Sequence, residues 1–141
     1  MPGLTRERIT SLVKRYRPRG WSIKASHRHE TGGDADSETR TITVPRLETV
    51  WALHIFFHEC GHVYRNHFKR FDMCSHQEEY EAEIYALHLM KAEGIHIPAY
   101  IVKGARENVR LRCVEDAAKW LQIDRKIARW ARYDPRLQPH H

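Results

Sequence analysis

The sequence predicts an α+β fold: a small twisted sheet packed on one long helix, with helices before and after it. Three observations carry this expectation. Alternation of apolar and polar residues is confined to the stretch from Trp21 to Val44, a segment without proline and with a wide apolar face runs from Leu47 to Phe68, and the later patterns are helical. With 141 residues, 41% hydrophobic and 30% charged, the chain suits one compact domain and has the composition of neither a disordered tail nor a membrane protein.

Taken in order, Leu4, Ile9, Leu12, Val13 and Tyr16 recur at helical spacing until Pro18 and Gly20 stop them, which predicts a helix over 4–17. Trp21, Ile23 and Ala25 alternate as a strand, Gly32 to Asp36 read as a loop, and Thr39 to Val44 read as a second strand paired with or beside the first. The helix over 47–68 follows Pro45. A polar connection from Asp72 to His76 leads to a helix over 77–93 closed by Gly94, and helical pattern resumes after Pro98 up to Tyr133.

The net charge of +6 is unevenly placed. Both ends are basic, whereas residues 25–102 hold seven Lys/Arg against twelve Asp/Glu and most of the 11 histidines, which is where a cation site is to be sought. Three cysteines, Cys60, Cys74 and Cys113, show no paired spacing and read as reduced thiols. The N-terminal stretch carries charges where a signal peptide needs an unbroken apolar run, and no apolar run is long enough to span a bilayer. A cytoplasmic protein without a membrane segment is expected.

Within the long helix stands His58-Glu59-Cys60-Gly61-His62. Histidines four apart on a helix share a face and reach one metal ion, while Glu59, turned by about 100°, sits beside the metal as a base for water. Trp51, His54 and Phe57 offer the plainer alternative of an aromatic core. A catalytic zinc needs a third ligand and an open position. A histidine closing the longer HExxHxxGxxH pattern is missing, since Arg65 and Phe68 occupy the required places and His67 falls one residue early. A glutamate from the following helix is the other route, with Glu78, Glu79, Glu81 and Glu83 available. Glu79 shares a face with Ala82, Glu83, Ala86 and Met90, whose two alanines let helices approach closely; Glu81 shares one with Ile84, Tyr85 and His88. The preferred set is therefore His58, His62 and Glu79 as ligands, Glu59 as catalytic base, and Glu83 orienting a histidine, with Glu81 as the alternative third ligand. Tyr64, Tyr85 and His88 are candidate donors to a developing oxyanion.

A strand ending in TITVP, then HECGH in a helix, then EYEAEIYA from Glu79 to Ala86, resembles the gluzincin metallopeptidases, and most closely the small ImmA/IrrE type, whose pattern is HExGH followed by E-x-x-A-N/D-x-F-A. The match covers roughly residues 39–90; Cys60, Glu83 and Tyr85 depart from the usual residues. The resemblance implies a minimal zincin-like domain over 1–98, with zinc held by His58, His62 and Glu79, Glu59 as general base, and a peptide substrate lying along the strand Thr39–Val44 as an edge. Residues 99–136 are then a helical segment packed on that domain. The expected activity is zinc-dependent hydrolysis of a peptide bond by metal-activated water.

The segment from Val114 to Arg132 also has a helix-turn-helix cast, in which Arg125, Lys126, Arg129 and Arg132 would meet nucleic acid. The preferred reading is two helices packed on the body with Trp120 and Trp130 in the core. The alternative function is a DNA-associated regulator with a non-catalytic metal site.

Overall fold

The computed structural model describes residues 3–26 and 32–137, and over them the chain forms five α-helices and a three-stranded mixed sheet, an α+β architecture. Thr5 starts α1 (Arg6–Tyr16) by accepting a hydrogen bond from the Arg8 N–H at 3.1 Å, and Ile9 and Leu12 are its buried residues. Strands β1 (Ser22–Ala25), β2 (Asp34–Asp36) and β3 (Thr41–Val44) lie in the order β1-β3-β2, with β3 parallel to β1 and antiparallel to β2. Ile42 is thereby set between Ile23 and Ala35.

Two expectations about this sheet are corrected. Asp34–Asp36 belongs to a strand instead of a loop: pairing with β3 satisfies the inward-facing groups of its main chain despite the poor strand propensity of aspartate. The strand ending at Val44 is the middle one, so a peptide cannot add to it; β1 and β2 are the edges, and β2 is the one that lines the cleft. Asp36 Oδ1 accepts from the Glu38 N–H at 2.9 Å, and Arg40 takes φ 51°, a tight return that delays β3 to Thr41.

Helix α2 (Val50–Tyr64) is shorter than the apolar pattern suggests at both ends. Thr49 caps it through the Ala52 N–H at 3.1 Å, and Asn66, at φ 59° and ψ 37°, turns the chain into a short 3₁₀ turn, His67–Lys69. Helix α3 (Ser75–Ala92) opens with Gln77 accepting from the Cys74 N–H at 2.8 Å and closes at Gly94, whose φ of 71° suits a residue without a Cβ. The pattern beyond Pro98 divides into α4 (Ala99–Ala118) and α5 (Arg125–Ala131), separated where Trp120 takes φ 64° and Asp124 caps α5.

The main core joins Ile42 and Val44 of the sheet, Leu53, Phe56 and Phe57 of α2, and Ala86 and Met90 of α3, so α2 is the layer between the sheet and α3. Burying each of these phenylalanines contributes roughly 1.5–3 kcal/mol. A smaller cluster of Val109, Cys113, Ile127, Ala131 and Tyr133 holds α5 to α4. Trp120 lies outside both: it is 91% exposed, against the expectation of a core residue, because the left-handed turn swings it off the packed face. Trp130 is half-buried, edge-on to Tyr80 at 5.3 Å with Arg106 5.7 Å from its ring centre. No helix among the described residues is long and apolar enough to cross a membrane.

Candidate metal centre

The site depends first on how closely α2 and α3 meet. A Cβ placed on Gly61 would lie 3.0 Å from Ala82 Cα and 3.2 Å from its carbonyl oxygen, so glycine facing alanine brings the two main chains together. The alanine face of α3 is the one turned to α2, with Ala82 and Ala86 fully buried. Across this contact α2 presents His54, His58 and His62 at successive turns, and α3 presents Glu83 and Glu79.

These side chains interleave. His58 Nε2 and His62 Nε2 are 3.1 Å apart; Glu79 Oε2 is 2.7 Å from His62 Nε2, and Glu79 Oε1 is 3.6 Å from His58 Nε2. Ligand atoms about 2.0–2.1 Å from a tetrahedral zinc stand about 3.3 Å from one another, so the triangle of His58, His62 and Glu79, the last meeting the two rings through different oxygens, is close to the size of such a site. Two imidazoles and a carboxylate form a donor set suited to zinc. Glu81 is not in the triangle; its Oε1 is 3.1 Å from His67 Nε2 and 3.3 Å from Arg70 Nη1.

The other side of each donor is also engaged. Glu83 Oε1 abuts His58 Nδ1, and its second oxygen is 3.7 Å from His54 Nε2, a buried nitrogen without a hydrogen-bond partner. The Asn108 amide of α4 donates to Glu79 Oε1 at 3.2 Å. His67 Nδ1 is 2.8 Å from His62 Nδ1. Burial drives the His58 pKa down, but hydrogen bonds and charge from Glu79 and Glu83 prevail and hold it well above the usual histidine value. Burial pushes Glu79 up, and hydrogen bonds from His58 and His62 overcome this and hold it far below the ordinary carboxylate range. In the absence of metal these shifts favour an ion pair between His58 and Glu79, 3.6 Å apart.

Glu59 is 6% exposed and offers a carboxylate oxygen within 4.8 Å of ring nitrogens of His58 and His62. Burial raises its pKa, a condition that suits a group required to hold a proton transiently. Gly33, just before β2, lies over it: a Cβ there would come 2.9 Å from Glu59 Oε2 and 2.5 Å from Ile55 Cγ2. Above these groups is a cleft of about 580 Å³, bounded by β2 on one side and by Tyr100, Gly104, Asn108 and Arg112 of α4 on the other. That volume is typical of a ligand site.

Sequence reading missed Gly33, His54, His67 and the α4 wall. Only the histidines carried a signal, as members of an excess. The candidate oxyanion donors are placed elsewhere: the Tyr64 hydroxyl donates to the Tyr16 carbonyl at 3.0 Å, Tyr85 leans on Tyr64, and His88 is exposed, so none of the three lines the cleft. A second cluster, Cys74, His76 and Asp116, has metal-like spacing, but both His76 nitrogens are used: Nδ1 donates to Asp116 Oδ2 at 2.7 Å and Nε2 accepts from the Asp124 N–H at 3.2 Å. It pins the start of α3 to the α4–α5 turn. Comparison of the chain with protein-family models, curated proteins and solved structures found no match.

Proposed function

We propose that the protein is a zinc-dependent peptidase of gluzincin type, resembling the ImmA/IrrE group in a minimal zincin-like fold, with His58, His62 and Glu79 as ligands and Glu59 as general base. The observation that carries this reading is the convergence of His58 Nε2, His62 Nε2 and the two Glu79 carboxylate oxygens, with contacts of 2.7–3.6 Å, at the floor of a cleft that also exposes a separate buried carboxylate. When bound there, zinc supplies Lewis acidity towards a carbonyl oxygen and lowers the pKa of water at its open position to about 7. Glu59 accepts the proton from the attacking water and returns it to the leaving amine, its burial favouring the protonated state that the second step requires. The outer edge of β2 offers main-chain groups to an extended peptide. The three free cysteines suit a reducing cytoplasm.

The test is a mixed peptide library incubated with the zinc-loaded chain and read by mass spectrometry. Cleavage is expected from the wild type, and Glu59→Gln should retain zinc while losing on the order of 10²- to 10⁴-fold in rate. Stoichiometric zinc with no cleavage of any peptide counts against the peptidase reading. A second reading, contact with nucleic acid, draws on the exposed Arg125, Lys126, Arg129 and Arg132 at the α5 end. DNA binding that weakens steeply with salt, without hydrolysis, favours it.

A further inference from the structure

We propose that His67, Glu81 and Arg70 form a positioning relay that fixes the tautomer and ring orientation of His62, an inference that rests on the metal reading of the site. The relay has a defined origin in the backbone. Asn66 in the left-handed region folds the chain back after α2, so His67, five residues beyond His62, returns to face it at 6% exposure. His62 Nδ1 to His67 Nδ1 is 2.8 Å, His67 Nε2 to Glu81 Oε1 is 3.1 Å, and Arg70 Nη1 to the same oxygen is 3.3 Å.

Proton counting for the zinc-loaded site then leaves one polarity. A neutral imidazole has one donor nitrogen and one acceptor, and a carboxylate only accepts. Glu81, paired with Arg70, therefore requires the proton of His67 on Nε2. That leaves His67 Nδ1 as an acceptor, so His62 must donate from Nδ1. With zinc bound, the lone pair of His62 is consequently on Nε2, the atom that faces His58 Nε2 at 3.1 Å and Glu79 Oε2 at 2.7 Å; the cation would take the lone pairs of Nε2 and the carboxylate, which without it call for a proton on Nε2 between them. Reversing the chain would set a bare His67 Nε2 against a carboxylate, two acceptors in contact. Glu81, rejected by the ligand triangle, thus acts on the metal through two histidines; it is a positioning residue, as is His67.

Zinc affinity of the full chain, measured by competition with a chromophoric chelator, tests the relay alongside the ¹⁵N-histidine spectrum of the loaded protein. His67→Leu should weaken zinc binding on the order of 10- to 100-fold. His67→Asn, whose side-chain oxygen replaces Nδ1 as acceptor, should recover most of that loss. In the wild type the proton of His62 should be found on Nδ1 in slow exchange with water, and His67→Leu should speed that exchange. Glu81→Ala, at a partly exposed position, provides the same affinity comparison in a folded chain should His67→Leu fail to fold, and it too should bind zinc more weakly. Equal zinc affinity in the wild type and the folded relay variants, or a wild-type His62 proton on Nε2, overturns the relay while leaving the metal site standing. A wild-type chain that binds no zinc overturns the metal reading and the relay with it.

Discussion

Glu79 and Glu83 are separated by one helical turn and have different work. Glu79 faces both ring nitrogens of the triangle, so Glu79→Ala should abolish stoichiometric zinc under conditions where Glu83→Ala, which only frees the far side of His58, loses about 10- to 100-fold in affinity. Metal analysis after dialysis separates the two. The metal-free protein should also respond to pH in a defined direction. The raised pKa of His58 contributes stability that is complete below its unfolded value near 6.5 and is lost as pH rises through its folded value. The depressed pKa of Glu79 contributes stability present above about 4.5 and lost as pH falls through its folded value. Chelator-treated protein should therefore melt at progressively lower temperature as pH is raised above about 6.5, while zinc, which replaces the His58 proton, should bind more tightly over the same range. A flat melting profile for the metal-free chain contradicts the ion pair.

At the scale of elements, the contact between α2 and α3 is held by the absence of a side chain. Gly61→Ala inserts a Cβ 3.0 Å from main-chain atoms of α3, which cannot rotate away, so the helices must part. The expected cost is about 1–3 kcal/mol in urea unfolding, with weaker zinc binding because Glu79 retreats from the histidines. Gly104 makes the opposite case. It lies inside α4, nothing stands within 4 Å of a Cβ built there, and its φ needs no glycine. Gly104→Ala should therefore raise stability by up to about 1 kcal/mol through helix propensity, and a lower melting temperature in that variant would mean that α4 is packed differently. Gly33→Ala belongs with Gly61: its Cβ would press on Glu59 Oε2, so hydrolysis should fall while zinc content stays.

For the molecule as a whole, the proposed site would link metal and fold, because its ligands come from α2 and α3 and are assembled only when these pack. Free zinc at about 100 times its dissociation constant should stabilise the native state by about 2.7 kcal/mol, seen as a melting temperature that rises with zinc and drops on chelation. His58→Ala or His62→Ala should remove that response. The C-terminal helices are part of the same unit. Asn108 of α4 holds Glu79, and Asp116 accepts from both the N–H and Nδ1 of His76 at 2.8 and 2.7 Å, three residues before Glu79. Asp116→Ala should cost about 1–3 kcal/mol for each buried group left unpaired, and should loosen zinc binding from a distance.

What the sequence determined by itself is what local geometry dictates. The spacing of His58 and His62 decides that both lie on one helix face, Pro18, Gly94 and Pro98 mark where helices stop or start, and Ala82 and Ala86 identify the face of α3 that can approach another helix; each follows from the helical repeat or from a single residue's φ/ψ range. The pairing of Asp34–Asp36 as an edge strand was not legible, because strand pairing depends on a partner and not on propensity. Nor were His67, Asn108 and Gly33 as neighbours of the site. His67 returns only through the left-handed turn at Asn66, Asn108 arrives on a helix 29 residues beyond Glu79, and Gly33 matters only because β2 closes over Glu59. The tertiary structure decided these three, and with them which of Glu79 and Glu81 faces His58 and His62, since the rotation of one helix against another is set by packing across α2 and α3 and has no counterpart in the local repeat of the chain.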